Sequence, residues 1–253
     1  MQPVIDLNCD MGESFGPWRM GADEAVLPYI TSANIACGAH AGDPSVMRRT
    51  VRLAREAGVS VGAHPGFPDL QGFGRRELKA DPREMEDWIV AQIGALAAIA
   101  RAEGAVLRHV KAHGALYNLA VRDRALAEAI ARAIASVDRS LIMFGLPKSA
   151  MTDAGADAGL RVAAEGFADR AYEPDGSLTP RSKPGAVIHD PEVVVRRAVR
   201  MVRDRVVLTP DGREIALQVD TICVHGDTPG ADELVRRIRA GLEAAGIDVR
   251  PLQ

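Results

Sequence analysis

The sequence predicts an α/β fold in which parallel strands, covered by helices, collect polar side chains on a common interior face. Short apolar runs alternate with helical segments, and five of these runs end in a charged or imidazole side chain. Within the runs the polar residues share one parity, and successive side chains of a strand point to opposite faces. One face of the sheet is therefore expected to be apolar and the other to carry the polar and titratable side chains, in either a closed barrel or an open sheet.

Seven strands are expected, because there are seven apolar runs and each but the last is followed by a helical or loop crossover. They lie near residues 4–9, 32–36, 59–64, 106–112, 140–144, 160–165 and 220–225. In the first run, Asp6, Asn8 and Asp10 fall on one face; in the fourth, His109 and Lys111 do. Seven parallel strands favour an incomplete or irregular barrel.

Four helices are expected to begin at an aspartate or threonine that is followed by proline. Such a side chain caps the first backbone N–H groups, and proline fits the first helical position. The four pairs are Asp43-Pro44, Asp81-Pro82, Asp190-Pro191 and Thr228-Pro229. Gly58, Gly104 and Gly246 follow helical segments and are expected to end them in the left-handed conformation.

The chain is expected to form one domain over residues 1–253, a length at which single β/α barrels are common. Residues 205–219 predict a hairpin excursion, because two β-rich arms flank a Pro-Asp-Gly turn.

The composition excludes several kinds of partner. The net charge of −3 and the few aromatic residues do not indicate a surface that binds nucleic acid. No apolar run reaches the roughly 20 residues of a membrane span, so we expect a cytoplasmic protein without a membrane partner. The three cysteines form no C-x-x-C pair and are expected to be reduced core thiols.

Two loops, 65–78 and 166–187, are longer than most connections in compact domains. Long ordered loops tend to form lids or binding loops. They contain Arg75 and Arg170, whose guanidinium groups suit a carboxylate or a phosphate. Solvated surface charge is the alternative for any one of these residues. Arg170, close to Glu165, is the strongest candidate for binding.

Four of the six histidines fall at or just past a predicted strand end, beside glycine or alanine. They are His40, His64, His113 and His225. A lone histidine is more often structural than catalytic, but four in equivalent positions indicate a shared site. The small neighbours would let a ligand approach. A metal site built from Asp10, His40 or His64, and His113 or Asp227 is one reading; hydrogen-bonded catalysis without a metal is the other.

His109 and His113 have the spacing of a metal-binding pair on a helix. The run is β-rich, however, and lies between Gly104 and Gly114, so both imidazoles are assigned to one strand face, with His109 deeper. The zinc-protease glutamate is also missing from this run. The helical metal motif is therefore rejected.

Lys111 is the most informative single residue. A lysine on the interior face of a core strand is costly unless paired, so it is expected to meet Asp10, Glu165 or Asp227. It would either act as a cation on a carbonyl or phosphate group, or serve as the counter-ion of a structural network. Its charge would oppose a metal ion close by.

Six motifs lie at strand-to-loop transitions: LNCDMGES at 7–14, NIACGAHAGD at 34–43, GAHPGF at 62–67, VKAHGALYN at 110–118, EGFADRAY at 165–172 and VHGDTPG at 224–230. Together they resemble the family of 5-oxoprolinase A subunits, formerly called LamB/YcsF lactam-utilisation proteins. Ala112 stands where the family more often has proline, a small change beside Lys111 and His113. The resemblance implies an irregular seven-stranded β/α barrel related to the glycoside hydrolase/deacetylase superfamily.

The resemblance also implies a reaction: ATP-driven opening of 5-oxoproline to glutamate, with Mg²⁺ and ATP as co-substrate and the B and C subunits of 5-oxoprolinase as partners. The sequence lacks a G-x-x-x-x-G-K-[ST] phosphate loop, which agrees with a need for partners. The expected catalytic residues are Asp10, His64, Lys111, His113, Glu165, His225 and Asp227; the expected substrate-binding residues are Asn8, His40, Arg75 and Arg170. Two alternatives stay open, a stand-alone metal-dependent amidohydrolase or deacetylase and a non-catalytic binding subunit.

Overall fold

A computed structural model describes residues 2–224 and 230–252 of the chain. Its strands are β1 (Val4–Met11), β2 (Ser32–Ala36), β3 (Ser60–His64), β4 (Leu107–Lys111), β5 (Ile142–Gly145), β6 (Arg161–Phe167), β7 (Val206–Leu208), β8 (Glu214–Ala216), β9 (Thr221–Val224) and β10 (Asp248–Val249). Seven of them, β1 to β6 and β9, form a parallel sheet.

The sheet closes into a barrel because β9 pairs with both β6 and β1. Thr221 of β9 is in register with Asp6 on one side and with Glu165 on the other. The prediction of a seven-stranded β/α barrel is confirmed, and the choice between barrel and open sheet is resolved. The two-residue strand β10, which pairs with β1 outside the closed ring, was not predicted because so short a run has no readable pattern.

The helices are α1 (Asp23–Val26), α2 (Pro44–Glu56), α3 (Pro82–Ala102), α4 (Gly114–Ala120), α5 (Arg124–Val137), α6 (Ala150–Asp157), α7 (Pro191–Arg203) and α8 (Ala231–Ala244), with a 3-10 turn at Leu27–Tyr29. Asp43, Asp81 and Asp190 cap α2, α3 and α7 through side-chain oxygens, as predicted. The fourth predicted start, Thr228-Pro229, lies outside the described residues, and α8 begins at Ala231 after Gly230.

The other local predictions concern turns. Gly58, Gly104 and Gly246 have φ values of 70°, 71° and 75°, which confirms them as left-handed helix ends. Strands β7 and β8 pair antiparallel, which confirms the hairpin. Among the described residues, no helix combines the length and apolar character needed to cross a bilayer. The cytoplasmic location stays a prediction.

The strand parity predicted from the sequence separates two environments. In β1 the apolar set, Ile5, Leu7, Cys9 and Met11, belongs to the main hydrophobic core. Asp6 and Asn8 are equally buried, yet their side chains reach polar groups of other barrel strands. The polar face of β1 therefore points into the barrel, and the main apolar core lies between the barrel and its helices. Ile142, Phe144 and Ala163 form a second, smaller apolar cluster, in which Phe144 stacks on His109.

Candidate active site

The deepest polar group in the barrel is a carboxylate surrounded by hydroxyls. Asp6 Oδ1 accepts hydrogen bonds from Thr31 Oγ1 and Ser32 Oγ, both at 2.7 Å, and Oδ2 accepts from Thr221 Oγ1. Burial raises the pKa of Asp6 above its usual value, although these hydrogen bonds oppose the shift. We call these four residues the hydroxyl layer.

Amides connect this layer to the end of the barrel. Asn8 Nδ2 donates to Thr221 Oγ1 at 2.7 Å, and Asn8 Oδ1 accepts from Asn34 Nδ2, also at 2.7 Å. Asn34 Oδ1 lies 2.7 Å from His109 Nε2, so this ring nitrogen carries the proton. Burial, with the charge of Lys111, lowers the pKa of His109 to about 3. A neutral imidazole thus supports the amides across the barrel.

His109 fits only because the neighbouring strand carries Gly62. A Cβ at position 62 would lie 2.0 Å from His109 Nε2. Gly66 and Gly74 are similar, since a Cβ at either would lie within 2.9 Å of a ring atom or Cβ of a histidine. These three glycines therefore make room for the imidazoles themselves. The ligand access expected from the small residues next to the histidines in the sequence stays a prediction.

Lys111, the last residue of β4, lies between two carboxylates. Its Nζ is 2.8 Å from Asp10 Oδ1 and 3.0 Å from Glu165 Oε1, and it also donates to Cys223 Sγ at 3.0 Å. Burial alone would lower the pKa of this ammonium, but the charges of Asp10 and Glu165 outweigh it and hold the pKa well above its usual value. The predicted pairing of Lys111 is confirmed for both carboxylates. We call Asp10, Lys111 and Glu165 the charged layer.

Two imidazoles beside the charged layer face each other. His64 Nε2 lies 2.9 Å from His113 Nδ1. The opposite nitrogens each meet a backbone carbonyl: His64 Nδ1 is 2.8 Å from Lys111 O, and His113 Nε2 is 2.8 Å from Phe73 O. Phe73 has a left-handed φ of 54°, uncommon for a residue with a Cβ, and this conformation places its carbonyl on the ring. Both ring orientations are fixed by the backbone.

A third imidazole and a second acidic residue complete the cluster. His40 stacks on His113 with ring centroids 3.7 Å apart. Glu13 Oε1 lies 3.7 Å from His40 Nε2 and 3.6 Å from His113 Nδ1. Burial, reinforced by the other histidines, lowers the pKa of His40 well below its usual value and that of His113 to about 3. We call His40, His64 and His113 the imidazole cluster.

A cavity of about 1050 Å³ opens at the carboxyl ends of the strands, where β/α barrels place their active sites. Its lining includes Asp10, His64, Lys111 and His113 from the barrel. The two long loops contribute arginines to the lining: Arg75 from the first, and Arg170 and Arg181 from the second. The cavity therefore joins an anionic and imidazole-rich end to a cationic wall.

Comparison with known proteins decides the family. A family model described as the LamB/YcsF family matches residues 5–253, nearly the whole chain. The chain belongs to the LamB/YcsF family. It is 61% identical over 246 residues to the A subunit of 5-oxoprolinase from Chloroflexus aggregans, covering 97% of this chain and 98% of that protein. The corresponding 5-oxoprolinase A subunit of Pyrococcus abyssi is 55% identical over 249 residues, 98% of each chain.

A solved structure gives the same result for the LamB/YcsF chain. The lactam utilization protein from Thermus thermophilus superposes with a TM-score of 0.95 at 49% identity, covering 98% of this chain and 100% of that one. The two chains therefore share one fold over nearly their whole length.

Most of the site residues predicted for this LamB/YcsF chain come together at one end of the barrel. Asp10, His64, Lys111, His113 and Glu165 lie within one connected set of contacts. Two predicted substrate-binding residues, Asn8 and His40, are buried beneath and beside that set, whereas Arg75 and Arg170 line the cavity. The predicted residues His225 and Asp227 lie outside the described residues.

Some residues of this site, among them Glu13 and Tyr117, were not singled out from the sequence. Glu13 lies in the first motif, three positions after Asp10, and a carboxylate so close to a predicted catalytic aspartate was the available signal. Tyr117 is buried on α4 and lines the cavity, and burial, followed by the charge of Glu165, raises its pKa well above its usual value. Its helical position gave no sequence signal, because a tyrosine there is equally suited to the core.

Proposed function

We propose that this chain is the A component of an ATP-dependent 5-oxoprolinase and that the lactam ring opens at the charged layer. The family membership and the names of its relatives support the role. The observation that carries the placement is the buried Lys111, held by Asp10 and Glu165 at the end of the cavity. Its ammonium is the only lysine nitrogen among the described cavity-lining residues.

The reaction requires activation of an unreactive amide. A five-membered lactam is resonance-stabilised, so transfer of the γ-phosphoryl group of ATP to its carbonyl oxygen would produce a better electrophile. ADP leaves in that transfer; water then adds to the ring carbon, the carbon–nitrogen bond breaks and the nitrogen takes a proton, which leaves an acyl phosphate on the opened chain. A second water hydrolyses the acyl phosphate to glutamate and phosphate. Each stage places negative charge on the oxygens at that carbon.

Lys111 is suited to that charge. A fixed cation in a site shielded from water stabilises a developing oxyanion more strongly than it would in solution. The flanking carboxylates keep it protonated, and Asp10 exposes a second oxygen, Oδ2, 3.3 Å from His64 Nε2. We assign Lys111 to the lactam oxygen and Asp10 to the orientation of water. Proton delivery by His64, His113 or His225 stays a prediction.

The cavity is larger than 5-oxoproline requires. Its volume of about 1050 Å³ lies at the upper end of the range for drug-sized ligands, whereas 5-oxoproline is a single five-membered ring with one carboxylate. Arginine side chains in the wall suit a phosphate or carboxylate. Arg170 is partly committed, since its Nε and one terminal nitrogen donate to the carbonyls of Ala186 and Thr179. Arg75, Arg170 and Arg181, which all line the cavity, are the candidates for binding a phosphate group.

The reconstituted reaction tests this proposal. Glutamate and phosphate formation from 5-oxoproline and MgATP would be measured with the purified chain, with candidate B and C subunits, and with all three together. Product in the complete mixture only, with one phosphate per glutamate, is the expected result. Folded, associating subunits that form no glutamate would overturn the proposal and favour the stand-alone amidohydrolase. Tight 5-oxoproline binding with full activity after loss of Lys111 would instead identify a binding subunit.

A further inference from the structure

The hydrogen bonds of His64 and His113 leave no proton between the two ring nitrogens that face each other. Each ring must donate from its other nitrogen, because Lys111 O and Phe73 O can only accept. In neutral rings, the two nitrogens that face each other, His64 Nε2 and His113 Nδ1, therefore both carry lone pairs. Two lone pairs held 2.9 Å apart repel each other unless a cation lies between them.

Carboxylates flank this pair of lone pairs. Glu13 Oε1 lies 3.6 Å from His113 Nδ1, and Asp10 Oδ2 lies 3.3 Å from His64 Nε2. One ligand atom from each of Glu13, His64 and His113 falls within 4.8 Å of the others, and all three side chains are buried. Metal–nitrogen bonds of about 2.0–2.1 Å separate the ligand atoms of a tetrahedral zinc ion by about 3.3 Å. Two of the separations between these ligand atoms, 2.9 and 3.6 Å, bracket that value.

We propose that Glu13 Oε1, His64 Nε2 and His113 Nδ1 bind one divalent transition-metal ion of the zinc, cobalt or manganese class. The outward hydrogen bonds of the two rings match the usual environment of metal-binding histidines, which donate their second N–H to a carbonyl or carboxylate. Three protein ligands leave a coordination position for water, as in catalytic zinc sites. The inference goes beyond the proposed function, which requires no bound metal.

Two neighbours define the limits of this site. His40 lies parallel to His113, with an angle of 4° between the rings, so an ion in the plane of His113 is not in the plane of His40. We therefore assign His40 as a packing neighbour and not as a ligand. Lys111 would repel a cation, but Asp10 stands between them, since Oδ1 accepts from Lys111 and Oδ2 faces His64.

Metal analysis of the chain alone tests the site. The protein would be stripped with a chelator, loaded separately with Zn²⁺, Co²⁺ or Mn²⁺, desalted, and analysed for metal per chain. Wild type is expected to retain one ion. His64→Gln and His113→Gln are expected to retain none, and Glu13→Gln to bind at least about 100-fold more weakly, since loss of even an outer partner costs 10–100-fold. His189→Gln is the matched control, because this histidine is exposed and remote in sequence from the ligands.

A second measurement on the wild-type chain covers variants that fail to fold. The X-ray absorption spectrum of the zinc-loaded protein should show two imidazole ligands together with oxygen. A stripped wild-type chain that retains none of the three metals, or a shell without imidazole, would overturn the inference, as would full retention by folded His64→Gln and His113→Gln. These experiments use no 5-oxoproline, ATP or partner protein, so they can fail while the proposed function holds.

Discussion

The hydroxyl layer and the charged layer both bury a carboxylate in the same barrel, but they satisfy it differently. Asp6 is surrounded by three hydroxyl donors, two from strands and one from Thr31 just before β2. Asp10, four residues further along β1, is held by an ammonium and faces an imidazole at the cavity. Hydroxyls satisfy a carboxylate locally and present no charge to a ligand, whereas an ion pair at a cavity can interact with substrate.

The difference indicates that the two layers, which both include a residue of β1, have different roles, one in stability and one in reaction chemistry. The hydroxyl layer fixes the register of the closing strand, because Thr221 contacts both Asp6 and Asn8. The charged layer retains a buried cation, which is an expensive arrangement unless it is used. Substitutions in the first layer should therefore change stability, and substitutions in the second should change turnover.

The largest effect is expected for Lys111→Met. Methionine fills a similar volume but cannot stabilise negative charge, so glutamate formation by the proposed 5-oxoprolinase complex should fall by at least about 100-fold, comparable to the loss of one oxyanion donor. Steady-state turnover at equal concentrations of folded protein measures this. Lys79→Met, an exposed lysine, serves as control and should keep wild-type turnover. Equal turnover for both variants would remove Lys111 from the chemistry.

Gly62→Ala should show how tightly the amides between the layers are packed. The added Cβ would meet the ring of His109 at 2.0 Å, and overpacking of this kind should lower the free energy of unfolding by about 3 kcal/mol. Gly94→Ala is the matched control, because a Cβ there meets nothing within 4 Å on α3. That control should raise stability by up to about 1 kcal/mol through helix propensity. Denaturant unfolding curves would show shifts of opposite sign; two shifts of the same sign would refute tight packing at Gly62.

Asp6→Asn tests the hydroxyl layer through its pH dependence. A carboxyl group whose pKa is raised on folding stabilises the protein below the unfolded value of 3.8, and this contribution is lost as pH rises through the folded value. Wild type should thus exceed Asp6→Asn by about 1–2 kcal/mol near pH 4, from better hydrogen bonding, and by less at pH 7. Urea unfolding at the two pH values measures the difference. An advantage that grows with pH would contradict the assignment.

Asp69→Asn should cause the smallest loss of stability, and its pH dependence should be opposite to that of Asp6→Asn. Hydrogen bonds from Arg76 and, less strongly, from the Gly72 amide lower the pKa of Asp69 to about 2, in the loop that carries Phe73. The stabilisation is therefore present above pH 3.8 and lost as pH falls to about 2. The melting temperature of the variant should be lower than that of wild type at pH 5, and the two melting temperatures should converge near pH 2. A constant difference across this range would exclude the ion pair as its cause.

Sequence reasoning recovered the parts of the site that depend on local alternation. The parity of Asp10 and Lys111 placed both in the interior, and the cost of a buried lysine predicted its carboxylate partners. Closure of the barrel was undecided, because it rests on pairing between the first and last barrel strands. Glu13 and the Phe73 carbonyl were missed for a similar reason: their roles depend on where loops fold back onto the barrel.

Gly62 is a second example of a role that depends on tertiary packing and that the sequence alone does not reveal. Gly62 lies in the GAHPGF motif, two positions before His64, and its missing side chain leaves space in the sheet. The structure shows that this space is filled by His109, which comes from the neighbouring strand β4. A sequence identifies where space is left, but only the tertiary arrangement identifies what occupies it.

The most direct test of the difference between the two layers is a side-by-side measurement on Lys111→Met and Asp6→Asn of turnover in the proposed complex and of the unfolding free energy of the chain alone. We expect Asp6→Asn to keep wild-type turnover per folded molecule while its stability falls, and Lys111→Met to lose turnover far beyond any loss of folded protein. If turnover falls in both variants only in proportion to the unfolded fraction, the two layers do not differ in function.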